Sequence, residues 1–117
     1  MLLTKNTKNW YITGNIMGSS EWRVGFTSKA ARQKKKLPEP VAETLARLIG
    51  DMEHRGPIQK DWSHFSALKK EKEIPSHAYH CHIKNGRPTY VACWQVLDKT
   101  IQIIEIFYVG THENAPY

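Results

Sequence analysis

A chain of 117 residues is one domain's length, long enough to bury a sizeable apolar core without disulfide or metal staples. Its 17 Lys and Arg against 11 Asp and Glu give a formal charge of +6, which favours a polyanionic partner such as nucleic acid. No apolar run is long enough to cross a bilayer and no basic-then-apolar signal peptide opens the chain, so a cytoplasmic protein with two reduced cysteines is expected.

Residues 1–20 mix Lys5, Asn6, Lys8 and Asn9 with Trp10, Tyr11 and Ile12, then pass through Gly14 and Gly18-Ser19-Ser20. They read as an N-terminal extension of no assigned role, leaving 21–117 as the domain. From Glu21 the apolar Trp22, Val24 and Phe26 alternate with Arg23, Gly25 and Thr27, the period of a half-buried strand. Thr27-Ser28 supplies an N-cap for a short basic helix from Lys29 to Lys36, which Leu37-Pro38 ends. Pro38-Glu39-Pro40 opens a second helix, with the prolines in its first turn and Glu39 against the positive end of the dipole. Val41, Leu45, Leu48, Ile49 and Met52 form its apolar stripe, and Gly56-Pro57 stops it. Between Ile58 and Ser76 periodicity is weak. Trp62, Phe65 and Leu68 are expected to pin a long loop, and Lys69, Lys70 and Lys72 make its far half basic.

The stretch from Tyr79 to Trp94 predicts a β-hairpin closed by a two-residue type I′ turn at Asn85-Gly86, with Lys84 opposite Arg87, His82 opposite Thr89 and His80 opposite Val91. Alternation then puts His80, His82, Thr89, Val91, Cys93 and Gln95 on one face, a working surface. Cys81, Ile83, Tyr90, Ala92, Trp94 and Val96 take the other, a core. Asp98-Lys99 leads into a last strand from Ile101 to Val109, and the chain continues through Gly110, His112 and Tyr117. The predicted fold class is α+β, β-α-α-β-β-β, with two helices on one face of an antiparallel sheet. Trp94, Val96, Ile101, Ile103 and Phe107 are expected against the helix stripe, with Gln102 and Tyr108 on the histidine face. Glu105 falls on the apolar side in the simplest register, which demands a longer loop after Asp98 or a bulge in the last strand.

The order of these elements, the basic first helix, the Tyr79-His80-Cys81-His82 and Tyr90-Val91-Ala92-Cys93-Trp94 strands, and the terminal Gly110-Thr111-His112 with Tyr117 together resemble the RelE/ParE superfamily of bacterial toxins. The resemblance spans 21–117 and is closest to the RelE-like cytotoxic translational repressors of toxin–antitoxin systems. It implies a type II toxin that enters the ribosomal A site and cuts messenger RNA there, an mRNA interferase. It also implies a cognate antitoxin as partner, no cofactor, no membrane, and a monomer or weak homodimer when free. The family's two basic residues at alternate positions of the second strand correspond to His80 and His82, its basic residue after the last strand to His112, and its terminal tyrosine to Tyr117. Where the family often has an arginine on the third strand this chain has Val91, leaving Arg87 at the turn as the nearest replacement.

Cutting RNA without metal requires a base for the 2′-hydroxyl proton, an acid for the departing 5′-oxygen, and positive charge near the phosphorane. Histidine suits both proton roles near neutrality. His80 or His82 is the expected base and His112 the acid, with Tyr117 orienting or stacking and Arg87 or Lys84 near phosphate. Lys29, Arg32, Lys34, Lys35, Lys36, Lys69, Lys70 and Lys72 would hold ribosomal RNA by charge. Two alternatives belong to other classes: a gyrase-poisoning ParE-like toxin, or a catalytically inert RelE-fold module that binds nucleic acid or protein, for which Val91 is the best support. His80 and His82 with His77 and His112 also offer a set from which a zinc site would draw, although spacing completes none.

Overall fold

The computed structural model describes residues 21–71 and 74–117 in full and, among the first twenty, only the backbone of 3–5 and 10–12. Those two segments are strands, β1 (Leu3–Lys5) and β2 (Trp10–Ile12), paired antiparallel as a small sheet of their own. The rest of the expected extension and Lys72 lie outside the described residues. There follow β3 (Arg23–Phe26), α1 (Ser28–Lys35), α2 (Glu39–Arg55), β4 (Ser66–Leu68), β5 (Ala78–Lys84), β6 (Tyr90–Asp98) and β7 (Ile103–Thr111). A short 3-10 turn, His112–Asn114, follows the last strand.

The five main strands form one sheet in the order β3-β7-β6-β5-β4, antiparallel except for β3 and β7, which run parallel. The α+β architecture is as expected, with one strand added at the edge. Three residues without alternation, Ser66–Leu68, gave no strand signal, yet they pair along β5 and convert the end of the long loop into β4.

Both helices start where their caps predict. Thr27 Oγ1 accepts from Ala30 N at 3.0 Å at the head of α1, and α2 begins behind Pro38 with a second proline in its first turn. Val41, Leu45, Leu48 and Met52, spaced by three and four, are buried against the sheet, and Ile49 flanks them half-buried. They meet Cys81, Ile83, Ala92, Trp94, Ile104, Ile106 and Val109, each large side chain contributing about 1.5–3 kcal/mol when fully buried. Gly56 ends α2 in the left-handed region (φ 91°), and the buried Gln59 folds back to donate to the carbonyls of Gly56 (2.8 Å) and Asp51 (3.2 Å).

Two registers differ from expectation. The β5–β6 pairing sets His82 opposite Val91 and His80 opposite Cys93, and a bulge at Ile83 brings Lys84 opposite Tyr90. The connection is therefore five residues, 85–89, not the two-residue Asn85-Gly86 turn, and Asn85 does not adopt positive φ. Because the slip is by two residues, the paired side chains from His80 to His82 and from Val91 to Gln95 keep their predicted faces, whereas the bulge shifts Lys84 to the face of Tyr90. The loop includes a cis Arg87–Pro88 peptide, and Thr89 Oγ1 closes it by donating to Gly86 O at 2.7 Å.

In β7 both remedies that Glu105 demanded are present. The connection after Asp98 spans 99–102, with Asp98 Oδ1 accepting from Ile101 N at 2.9 Å, and Phe107 is an unpaired bulge between Ile106, opposite Trp94, and Tyr108, opposite Cys93. Ile104 and Ile106 consequently take the core positions expected for Ile103 and Phe107, while Ile101 is exposed in the turn. Glu105 is buried on the opposite face, accepting from Gln95 Nε2 at 3.0 Å. Val91, Cys93 and Tyr108 form a second small apolar cluster on that face, with Leu68, Phe107 and Ala115 against it. Among the described residues no helix is long and apolar enough to cross a membrane.

Truncating Leu48, buried in the centre of the α2 stripe, should destabilise the fold by about 2–5 kcal/mol. Urea unfolding of Leu48→Ala should show a lower midpoint with the slope unchanged.

Candidate functional site

The site forms on the sheet face turned away from the helices, at the end where β5, β6 and β7 meet the loop 85–89 and the 3-10 turn. Alternation along β5 projects His80 and His82 onto this face. Their rings are 6.3 Å apart between centroids. His112, first residue of the 3-10 turn, is held there by its backbone N–H donating to Thr89 O at 2.8 Å, and its ring meets that of His82 edge-on at 5.5 Å. Tyr117 folds back so that its ring lies 4.4 Å from that of His80 and 5.7 Å from that of His112. Residues distant in sequence thus form one aromatic and imidazole cluster.

A fourth histidine, missed from the sequence, completes it. His64 stacks on His82 with centroids 4.0 Å apart and planes within 18°. The β4–β5 register explains the contact: Ser66 pairs with His80, so two residues further on His64 stands opposite His82. The turn that carries it is clamped from the other side of the sheet. Trp62 Nε1 donates to Asp51 Oδ2 at 2.8 Å, and the Phe65 ring packs against Tyr79 and Trp94 at 5.7 and 6.1 Å. Between these anchors His64 takes φ 55°, a left-handed conformation that a non-glycine residue adopts at some cost in strain. No periodicity in 58–76 signals this placement, because it depends on the register of a three-residue edge strand.

A groove of about 590 Å³ opens beside His82, lined by Gly86, Arg87, Pro88, Thr89, Thr111, His112 and Glu113. His82, His112 and Arg87, three of the residues singled out from the sequence, therefore share one concavity. Lys84 lies outside it and donates to Pro88 O at 3.4 Å. A second groove of about 450 Å³, lined by Lys29, Gln33, Lys36, Tyr90, Tyr108 and Asn114 among others, adjoins it at Thr111. Lys34 packs its ammonium over the Phe26 ring at 5.2 Å, whereas Arg32 and Lys35 are exposed and line neither groove. Lys69 and Lys70 are exposed just beyond β4. His77 lines a different groove with Trp22, Ile58 and Tyr79, and among the described residues no three His, Cys, Asp or Glu side chains are placed to hold a metal ion together. The zinc set considered from the sequence is thus not assembled.

Burial lowers the pKa of His80, and the charges of His82, His112 and His64 add to the effect against an opposing interaction with the Ser66 backbone. His80 is accordingly biased toward the neutral imidazole, with Ser66 Oγ 3.3 Å from its Nδ1. Burial raises the Tyr117 hydroxyl above its ordinary value, so it stays a phenol suited to donating a hydrogen bond and to stacking, not to accepting a proton. Cys81 is pushed up to about 12 by burial and Cys93 upward likewise, which leaves both as inert apolar residues on opposite faces of the sheet. Val91 is fully buried beneath the site and contributes to an apolar floor with Cys93 and Tyr108.

Comparison with solved structures finds the same fold in bacterial and archaeal toxins. The isolated E. coli RelE toxin superposes with a TM-score of 0.57 at 18% identity, covering 81% of this chain and 88% of that one. The archaeal RelE–RelB complex from Pyrococcus horikoshii gives 0.57 at 13% identity, covering 81% and 99%. A toxin–antitoxin complex from Mycobacterium tuberculosis gives 0.56 at 19% identity, covering 80% and 94%. At these identities the likeness is one of fold. No family model matches the chain. No curated protein matches it in sequence.

His80 yields a pH dependence whose sign follows from its burial. With the folded pKa depressed below its ordinary value near 6.5, the unfolded chain binds more protons, so stability should fall as pH drops from about 6.5 through the folded pKa. Chemical denaturation across pH 7 to 5 should show this loss in the wild type and a flatter profile in His80→Gln.

Proposed function

We propose that the chain is the toxin of a bacterial type II toxin–antitoxin system, a ribosome-dependent endoribonuclease that cleaves messenger RNA by metal-independent acid–base chemistry. The observation that carries this reading is the single groove lined by His82, His112 and Arg87 on a RelE toxin fold. His82 is the base that takes the proton of the 2′-hydroxyl. His112, across the groove, is the acid that protonates the departing 5′-oxygen, and Arg87 supplies positive charge to the phosphorane. The product is a 2′,3′-cyclic phosphate and a free 5′-hydroxyl.

The remaining residues divide by position. Tyr117 and His80 form the wall beside the two histidines, where a phenol and a neutral imidazole offer stacking surfaces and hydrogen bonds to an RNA base. Lys29 and Lys36 continue the basic surface into the adjoining groove, and Arg32, Lys35, Lys69 and Lys70 supply exposed charge toward ribosomal RNA. Occurrence of the same fold in complexes with antitoxins supports a cognate antitoxin as partner. The groove is shallow and open, and an mRNA strand held in the decoding site supplies the orientation that it lacks.

Primer extension on a reporter message in a purified translation system tests the reading, with EDTA at a level that ribosomes tolerate. Reverse-transcription stops inside codons, marking new 5′ ends that arise only in the presence of ribosomes, are the expected result. His82→Ala and His112→Ala should each slow cleavage by about 10² to 10⁴-fold, and Arg87→Ala by about 10²-fold, with melting temperatures unchanged. An intact message with translation unaffected would sink the nuclease reading and shift the weight to a gyrase poison or an inert binding module.

A further inference from the structure

In the sequence Asn85 is half of a turn signal, and in the fold its side chain holds a histidine. Its Oδ1 lies 2.7 Å from His82 Nδ1. An amide oxygen only accepts, so in this contact Nδ1 carries the ring proton and the Nε2 lone pair is left free. The other end of the amide, Nδ2, donates to Ser63 Oγ at 3.1 Å, and that hydroxyl is 2.8 Å from His64 Nδ1. Ser63 is itself tied to the strand, because its carbonyl accepts from the backbone N–H of His82 at 2.8 Å. The His82 ring is thereby held at its Nδ1 edge by Asn85 and across its face by the stacked His64.

We propose that Asn85 is a positioning residue for RNA cleavage: anchored through Ser63, it holds His82 in the Nδ1–H tautomer while His64 sets the tilt of the ring, so that Nε2 is the atom that takes the proton. The proposal rests on the nuclease reading given above. In the step, the 2′-hydroxyl proton passes to Nε2 and the 2′-oxygen bonds to phosphorus. The phosphorus–O5′ bond breaks with its electron pair on O5′, which takes a proton from His112. Nδ1–H is a donor in both the neutral ring and the imidazolium, so the bond to Asn85 persists unchanged through the transfer. Preorganisation of this kind needs no rearrangement as charge develops.

Two measurements on the full chain decide it. Long-range proton–nitrogen NMR spectra of the neutral imidazoles should show His82 as the Nδ1–H tautomer in the wild type and a shift toward Nε2–H in Asn85→Leu. The same variant should slow single-turnover cleavage of ribosome-bound message by about 10- to 100-fold, part of the 10² to 10⁴ that a positioned base contributes. Asn85→Asp, which keeps an acceptor facing Nδ1, should restore the tautomer and most of the rate. Asn85 lacks positive φ, so its backbone gives the leucine variant no reason to misfold. A wild-type His82 found as Nε2–H overturns the proposal, and so does an Asn85→Leu protein that cuts at the wild-type rate. A wild-type protein that leaves every message intact overturns the nuclease reading and this role with it, whichever tautomer is seen.

Discussion

The indole of Trp94 is the contact on which the arrangement of the site depends. It is fully buried on the central strand β6, packs with Leu45, Leu48 and Met52 in the core, and donates from Nε1 to Pro57 O at 3.0 Å. That bond fastens the exit of α2 to the sheet. Phe65 and Tyr79 gather around the same ring, at 6.1 and 6.4 Å between centroids. The loop between α2 and β4 is therefore pinned at both ends by one side chain, directly at Pro57 and through Phe65. Ser63 and His64 ride on this pinned loop, and their contacts with Asn85 and His82 exist because the loop cannot swing away.

The opposite face of the sheet is organised by an irregularity. An uninterrupted β7 would alternate its side chains throughout, but the Phe107 bulge turns both Phe107 and Tyr108 to the same side. Tyr108 joins Val91 and Cys93 in a small apolar floor under the histidines, and its hydroxyl donates to Thr111 O at 2.6 Å just before the 3-10 turn. Gly110 is needed at that point, since a Cβ there would stand 2.7 Å from the Tyr108 hydroxyl. The 3-10 turn that carries His112 is in this way fastened to the sheet by a hydrogen bond from below and by Thr89 from the side. Val91 follows the same logic: a position that forms the floor takes an apolar residue, and Arg87 reaches the groove from the loop.

In a cluster whose rings lie 4.0 to 6.3 Å apart, burial and the charges of the neighbouring imidazoles oppose protonation of His80. His80, half-buried behind Tyr117, is the member held toward neutrality, while His82 and His112 face the groove. The cluster thus separates into a wall formed by His80 and Tyr117 and a pair of rings, His82 and His112, that line the groove.

The sequence alone determined the parts whose physics is local. Periodicity placed both helices and their buried stripe, caps and prolines set the helix starts, and strict alternation put His80 and His82 on one face of β5 with Cys81 and Trp94 on the other. That assignment survived a wrong turn because the register moved by two residues, an even number. The conflict posed by Glu105 even announced a bulge. What the tertiary structure decided was everything that depends on pairing between distant segments: the parallel partnership of β3 with β7, the edge strand β4, the position of the bulge, and the meeting of His64, His82, His112 and Tyr117. A three-residue strand carries too few side chains to declare its period, and Asn85 reads identically whether its amide closes a turn or holds an imidazole. Only the register across the sheet distinguishes these outcomes, because it is set by the summed packing of both faces and not by any residue's own preference.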